Sequence, residues 1–217
     1  MSKNEKVLCL PTQNLYNRGL LAGFEPMDDE SIASMIDCNG AVWMSRIECE
    51  SDLNFKQIIP YCVVQHKDTV LSYRRYSRNS EDRLHNARSI GFGGHVEQQD
   101  HDSESHLFTI RNTLYREIQE ELRFDRDGTP KFKGLINDES NDVGKVHLGA
   151  LFLLQASSKL VSPNECDIIT PEFIPIADAI ANLTEFETWS QIALVVLFHE
   201  THARYASSFA LKWVIPT

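Results

Sequence analysis

Apolar and polar residues change their spacing along the chain, and the changes predict strands, one strong helix, further strands and a second helix. The run QIIPYCVVQ, the turn HKDT and the run VLSYRRY predict a β-hairpin over residues 57–76. Shorter apolar runs predict strands at KVLCLP (6–11) and AVWMSRIEC (41–49). SIGFGGHV (89–96) has the pattern of a strand interrupted by glycine.

The segment SESHLFTIRNTLYREIQEELRF, residues 103–124, has the clearest helical pattern in the chain. Its apolar residues recur every three or four positions, as on one face of a helix: Leu107, Ile110, Leu114, Ile118 and Leu122. Ser103 or Ser105 is the expected N-cap, and DRDG (125–128) is expected to end the helix.

After this helix the pattern predicts strands again. They fall at KFKGLIND (131–138), GKVHLGALFLLQA (144–156) and DIITPEFIPI (167–176), with a proline break in the last. A helical pattern returns over residues 186–206. This order predicts an α+β fold with a mixed β-sheet flanked by helices, rather than a regular βαβ repeat.

Composition narrows the functional classes. The chain has 217 residues and a formal net charge of −10, which disfavours duplex nucleic acid because that binding needs Lys and Arg against phosphates. Five cysteines, an odd number with no CxxC pair, predict neither a disulfide framework nor a zinc site of cysteines. No apolar run has the length of a signal-peptide core or a membrane span. We therefore expect a cytoplasmic protein without a membrane partner.

Three carboxylates on the strong helix are the first candidate chemistry. Glu117, Glu120 and Glu121 stand at i, i+3 and i+4, so they are neighbours that flank the apolar stripe. Like charges this close need a cation among them, and Mg²⁺ prefers such hard oxygen ligands together with substrate phosphates. Gly93 and Gly94 come before the helix, where glycine permits close backbone approach.

The glycines and the glutamates together carry a family resemblance. GGHVE (93–97) and REIQEEL (116–122) resemble the Nudix box of the Nudix hydrolases, in which a glycine precedes the motif R-E-U-x-E-E and U is bulky and apolar. Gly94 matches the leading glycine, and Arg116, Glu117, Ile118, Glu120 and Glu121 match the second half. QIIPYCVV, YRR, RLH, SIGFGGH and VGKVHLG resemble a MutT-like bacterial branch of predicted phosphoesterases.

The box departs from the family pattern in its spacing. Twenty-one residues separate Gly94 from Arg116, where the box has thirteen, so the connecting loop holds about eight additional residues. The position of the first box glutamate falls on Phe108, with Glu104 as the nearest acid, and the closing glycine is replaced near Arg123. The resemblance implies one Nudix-like α/β/α sandwich domain over residues 1–217, with 1–40 as an N-terminal extension and 98–105 as a loop insertion in the box.

The resemblance also implies an activity. A Nudix hydrolase cleaves a diphosphate bond in a nucleoside diphosphate linked to another moiety, using Mg²⁺, for which Mn²⁺ can substitute. Glu117, Glu120, Glu121 and the Gly94 carbonyl are the implied metal ligands, and Arg116 is implied to orient Glu117. The expected partner is a small phosphorylated substrate of the nucleotide type; a homodimer is left open.

Further residues are candidates for binding or proton transfer. Arg74, Arg75 and Arg83 precede the glycine stretch and could bind substrate phosphates.

His147 is a further histidine candidate of the same kind as His95. The general base or an additional ligand is left open among four residues: Glu97, Glu104, Glu139 and His95.

Two other functions compete with the hydrolase. A Nudix-fold isomerase of the isopentenyl diphosphate type shares the Gly-His sequence but needs a cysteine just before it, where this chain has Phe92 and Gly93. A nucleotide-binding sensor without catalysis is the second, and the intact REIQEE sequence argues against it.

Overall fold

The computed structural model describes residues 5–20, 22–75, 87–164 and 168–202. Its ten strands are β1 (Lys6–Pro11), β2 (Gly23–Pro26), β3 (Val42–Ser45), β4 (Phe55–His66), β5 (Thr69–Arg75), β6 (Arg88–Ser89), β7 (Gly91–Phe92), β8 (Leu122–Asn137), β9 (His147–Pro163) and β10 (Ile168–Pro175) within these described ranges. The helices are α1 (Thr12–Asn17), α2 (Asp29–Cys38), α3 (Arg46–Cys49), α4 (His106–Glu121), α5 (Asp142–Val146), α6 (Ile176–Ala181) and α7 (Thr188–His202), with short 3₁₀ turns at Gln98–Asp100 and Leu183–Glu185.

The chain forms two compact units, each built from segments that are distant in sequence. The first unit comprises Met1–Tyr61, Gly93–Glu117 and Phe132–Phe152. The second comprises Cys62–Phe92, Ile118–Lys131 and Leu153–Thr217. The long elements β4, α4, β8 and β9 each contribute residues to both.

In the first unit, β1 pairs on both sides. Its partners are β3 and β4, both antiparallel, and β2 pairs with the end of β8. Four consecutive residues of β1 are completely buried, Val7, Leu8, Cys9 and Leu10, and two of them, Val7 and Cys9, pack with Cys49 against Met44 and Phe55. Because successive side chains of a strand point to opposite faces, both faces of β1 are covered.

In the second unit, the predicted hairpin of β4 and β5 is confirmed, with Gln65 opposite Val70. β5 also pairs with β10 and β6, and β4 pairs with β7, so that Cys62 lies opposite Phe92. The β5–β10 register shifts between Ile169 and Glu172, as expected at Pro171, which has no N–H to donate to the ladder.

The strand predicted over residues 41–49 is correct only in its first half. β3 ends at Ser45, opposite Lys6, where its partner β1 begins. The next residues turn into the short helix α3, where the Arg46 N–H donates to the Glu5 carbonyl at 3.0 Å and the Arg46 side chain contacts the Glu5 carboxylate at 2.9 Å.

The predicted end of the strong helix is also wrong in detail. The helix stops at Glu121 and β8 starts at Leu122, so DRDG lies inside a strand instead of forming a stop. Leu122 and Phe124, two residues apart, join one hydrophobic cluster with Ala156 and Val161, which favours the two-residue period of a strand.

The sequence GKV was predicted as the start of a strand but is helical. Asn141 caps α5, because its side chain accepts a hydrogen bond of 2.9 Å from the N–H of Gly144. The strand β9 begins only at His147.

Candidate active site

Helix α4 places the three glutamates at different depths. Ile110, Leu114 and Ile118 are buried, as the stripe predicted, whereas Leu107 is half-buried. Glu117 is partly buried, Glu120 is exposed and Glu121 is 3% exposed. The three carboxylates of this helix therefore differ in burial, from almost completely buried to exposed.

Gly94 and Glu117 are in direct contact within the first unit. A Cβ added at Gly94 would overlap the carboxylate of Glu117. Gly93 has φ +155°, and a Cβ there would overlap the Pro60 carbonyl oxygen. The loop and the helix that carry the two halves of the motif thus meet, and a side chain at Gly94 would have to displace the Glu117 carboxylate.

Arg116 connects the same loop to the helix. Its guanidinium donates to both oxygens of Asp100 at 2.9 and 2.8 Å and to Oε1 of Glu117 at 2.7 Å. It also donates to the His95 carbonyl at 3.3 Å. Asp100 is 8% exposed and accepts a further bond from Thr113 at 2.9 Å.

Arg116 and Asp100 each shift the pKa of the other towards the charged form. Burial opposes ionisation of Asp100, but the hydrogen bonds from Arg116 and Thr113 outweigh it, so the pKa of Asp100 is lowered. The hydrogen bond to Asp100 raises the pKa of Arg116 despite burial. Both groups therefore stay charged, and Arg116 holds Glu117 in one orientation.

Asp100 is a residue that the sequence did not single out. The acid expected from the box spacing falls on Phe108, which is 48% exposed. Glu104, the predicted substitute, is also exposed. The inserted loop instead supplies Asp100 to Arg116; the only signal in the sequence is that this acid lies in the insertion.

A second cluster lies in the first unit and contains two of the histidines considered from sequence. Ligand atoms of Glu50, His95 and His147 lie within 4.8 Å of one another. The Nε2 atoms of His95 and His147 are 3.3 Å apart, and His95 Nε2 is 3.8 Å from Glu50 Oε1. Glu50 was missed because no local pattern connects it with His95, and the fold alone brings them together.

Burial keeps both histidine rings uncharged. It lowers the pKa of His95 to about 2, with contributions from the charges of Arg46 and His147. The pKa of His147 is lowered chiefly by burial, although a hydrogen bond to the Val143 carbonyl opposes the shift. Neutral imidazole is the form that binds metals.

The remaining acidic candidates differ in their surroundings. Glu97 is 3.8 Å from Arg116 Nη2 and accepts a hydrogen bond of 2.8 Å from Gln99. Glu139 pairs with the buried Lys56 at 2.8 Å and accepts from the Tyr16 hydroxyl at 2.6 Å. Of these two acids, Glu97 therefore lies beside the Arg116–Glu117 pair, whereas Glu139 is paired with Lys56.

Of the three arginines proposed to bind phosphate, the structure describes the side chain of Arg74. Arg74 is exposed on β5, where it lies opposite Arg88. Arg83 and the side chain of Arg75 lie outside the described residues. Their role stays a prediction.

Comparison with known proteins identifies the family. No model of a known protein family matches the chain. Protein YmaB of Bacillus subtilis (strain 168) is 33% identical over 205 residues, which cover 89% of this chain and 98% of the relative. The crystal structure of Tm1382, a proposed Nudix hydrolase, is 32% identical with a TM-score of 0.75, covering 90% of this chain and all of that one.

A Nudix hydrolase from Nitrosomonas europaea is more distant, at 17% identity and a TM-score of 0.47 over 70% of this chain and 91% of its own. The chain belongs to the Nudix hydrolase superfamily, as its sequence resemblance indicated. Its α+β fold, a Nudix-like α/β/α sandwich with a mixed sheet and flanking helices, is confirmed.

Among the described residues, no helix is both long enough and apolar enough to cross a membrane.

Proposed function

We propose that the protein hydrolyses a diphosphate bond in a nucleoside diphosphate linked to another moiety, with Mg²⁺ as its cofactor and Mn²⁺ as a substitute. One observation carries this proposal: Gly94 lies against the carboxylate of Glu117 while Arg116 holds the same carboxylate at 2.7 Å. The two separated halves of the box therefore form one loop–helix arrangement.

The donor set fits a hard divalent cation. Glu117, Glu120 and Glu121 stand at positions i, i+3 and i+4 of one continuous helix and offer only oxygen atoms. They would hold the ion together with the carbonyl of Gly94. When bound, such an ion neutralises diphosphate oxygens and lowers the pKa of a coordinated water.

The protein's own groups orient this site. Arg116 is a positioning residue, because it fixes Glu117 while Asp100 fixes Arg116 from the other side. Glu97 is the favoured general base, since it lies beside Arg116 whereas Glu139 is engaged by Lys56. Glu104 and His95 are the less favoured candidates.

The isomerase alternative requires a reactive thiol near the Gly-His sequence. Cys62 does lie opposite Phe92, but it is completely buried, and burial raises the pKa of its thiol. A buried, protonated thiol is a poor proton donor or acceptor for substrate. The hydrolase is therefore favoured over the isomerase.

The test measures formation of nucleoside monophosphate from a panel of nucleoside diphosphate derivatives with Mg²⁺ or Mn²⁺. We expect turnover by the wild type, and losses in Glu117→Gln and Glu121→Gln that exceed the roughly 10- to 100-fold effect typical of residues behind the ligands. Glutamine keeps an acceptor for Arg116, so the fold should survive.

Glu30→Gln is the matched control, because it removes the same charge from an exposed position on α2. It should retain full activity. Metal-independent turnover, or unchanged activity in both box variants, would contradict the hydrolase proposal. Nucleotide binding without turnover in every protein would favour the sensor.

A further inference from the structure

We propose that Glu50, His95 and His147 form a second metal site, which takes one zinc-type divalent ion and is separate from the carboxylates of α4. All three residues belong to the first unit, and they come from the end of α3, the segment after β7 and the start of β9. Their ligand atoms lie within 4.8 Å of one another.

The nitrogen separation matches a tetrahedral ion. An ion about 2.0–2.1 Å from two imidazole nitrogens at the tetrahedral angle separates those nitrogens by about 3.3–3.4 Å. The Nε2 atoms of His95 and His147 are 3.3 Å apart. Glu50 Oε1 lies 3.8 Å from His95 Nε2 and within 4.8 Å of the His147 ligand atom, so its half-exposed side chain must move towards the two histidines to complete the ligand set.

The tautomer of His147 is set for ligation. Its Nδ1 donates to the Val143 carbonyl at 2.7 Å, so in the neutral ring the lone pair is on Nε2, the atom that faces His95. Metal-bound histidines almost always make this second hydrogen bond to a carbonyl or carboxylate. A direct hydrogen bond between the two rings is the alternative to a shared ion.

Arg46 is a positively charged neighbour of this cluster and forms ion pairs with both Glu50 and Glu5. Arg46 Nε lies 3.7 Å from Glu50 Oε1, but its Nη1 is engaged by Glu5 at 2.9 Å. Glu50 therefore keeps a neighbour that holds it near the histidines. Two imidazoles and one carboxylate are a zinc or iron type of ligand set, unlike the all-oxygen set on α4.

The ligand number implies an open site. Sites with three protein ligands leave a position for water or a substrate oxygen. His147 is 7% exposed, whereas the Glu50 side chain is 45% exposed, so the accessible side is that of Glu50. Because His95 directly follows Gly94, this ion would lie beside the proposed hydrolase site, yet its binding does not depend on that activity.

The test is binding of Zn²⁺ and Co²⁺ alone to the metal-free protein, without substrate. Competition with a chromophoric chelator gives the stoichiometry and Kd, and the visible spectrum of Co²⁺ reports its ligands. We expect one equivalent of tightly bound zinc, a Co²⁺ spectrum without thiolate bands, and a Kd at least tenfold higher in Glu50→Gln, His95→Gln and His147→Gln.

His101→Gln and Glu117→Gln are the controls. His101 is exposed, and Glu117 belongs to the α4 set, so both variants should bind zinc as the wild type does. Glu50→Gln alters a half-exposed side chain and keeps the assay valid if a buried histidine variant does not fold. Wild-type zinc affinity in Glu50→Gln, thiolate bands in the Co²⁺ spectrum, or loss of zinc in Glu117→Gln would overturn the proposal.

Discussion

At the scale of single residues, the lack of a side chain at Gly94 leaves room for the carboxylate of Glu117, a proposed metal ligand. A side chain there would displace the Glu117 carboxylate. We expect Gly94→Ala to lower kcat by about 100-fold, the order of loss that a misplacement of one ångström produces. The measurement is Mg²⁺-dependent turnover together with the thermal midpoint.

Gly93→Ala provides the contrast. Its Cβ would overlap the backbone of Pro60 and its φ of +155° disfavours a side chain, so this variant should lose stability. A drop in thermal midpoint for Gly94→Ala as large as that for Gly93→Ala would show that Gly94 serves only folding.

Asp100 anchors Arg116, and its removal should affect both stability and metal affinity. Asp100→Asn leaves the guanidinium without its bidentate charged partner in a largely buried setting, at a cost on the order of 3 kcal/mol in the free energy of unfolding. Urea unfolding measures this loss. The Mg²⁺ concentration for half-maximal activity should rise as well, because Arg116 then holds Glu117 less firmly.

The same pair predicts a pH dependence. The pKa of Asp100 is lowered from 3.8 on folding, so its ionised form contributes stability that is complete well above pH 3.8 and is lost as the pH falls through the folded-state pKa. The stability difference between wild type and Asp100→Asn should therefore shrink in acid. A difference that is constant from neutral pH to pH 3 contradicts this origin.

The sequence reveals the residues that share a helix or a motif, but not those that only the fold brings together. Glu117, Glu120, Glu121, Arg116 and Gly94 are recognisable because their spacing is local or matches a family pattern. Asp100 and Glu50 carry no such signal. Their roles depend on where the inserted loop and helix α3 come to lie, which the folded chain alone determines.

At the scale of elements, the start of α4 can be tested directly. The sequence predicted either Ser103 or Ser105 as the N-cap of this helix. In the structure, the Ser105 hydroxyl accepts a hydrogen bond of 3.1 Å from the Leu107 N–H. Ser105→Ala should lower the free energy of unfolding by about 1 kcal/mol, the usual cost of a lost cap. Chemical denaturation measures the difference.

Ser103→Ala is the matched control, because Ser103 is exposed. A surface substitution of this kind should stay within about 0.5 kcal/mol of the wild type. Equal losses in both variants would show that Ser105 does not act as the cap.

The strand β1, the hairpin and the body of α4 were predicted well, whereas the ten-residue helix α2 and the short helices α3 and α5 were missed. The hairpin of β4 and β5 and the body of α4 follow their apolar spacing. Helix α3 has four residues and α5 has five, too few for a period to be visible. Helix α3 follows the end of β3, and α5 is capped by the Asn141 side chain. Neither feature can be recognised from the spacing of apolar residues.

At the scale of the whole molecule, metal binding should stabilise the fold. An ion that binds only the folded chain adds about 2.7 kcal/mol of stability at a concentration of 100 Kd. For a protein of this size, that corresponds to a rise of roughly 5–10 °C in thermal midpoint. Because the formal net charge is −10, cations also bind weakly without a site, so a NaCl control of equal ionic strength is needed.

The two proposed sites should respond separately in that thermal experiment. A variant with glutamine at Glu117, Glu120 and Glu121 should lose the Mg²⁺ shift and keep the Zn²⁺ shift. Glu50→Gln should behave in the opposite way, because its carboxylate belongs to the histidine cluster. If either variant lost both shifts, the two ions would share one site, and the separation that the ligand chemistry predicts would be wrong.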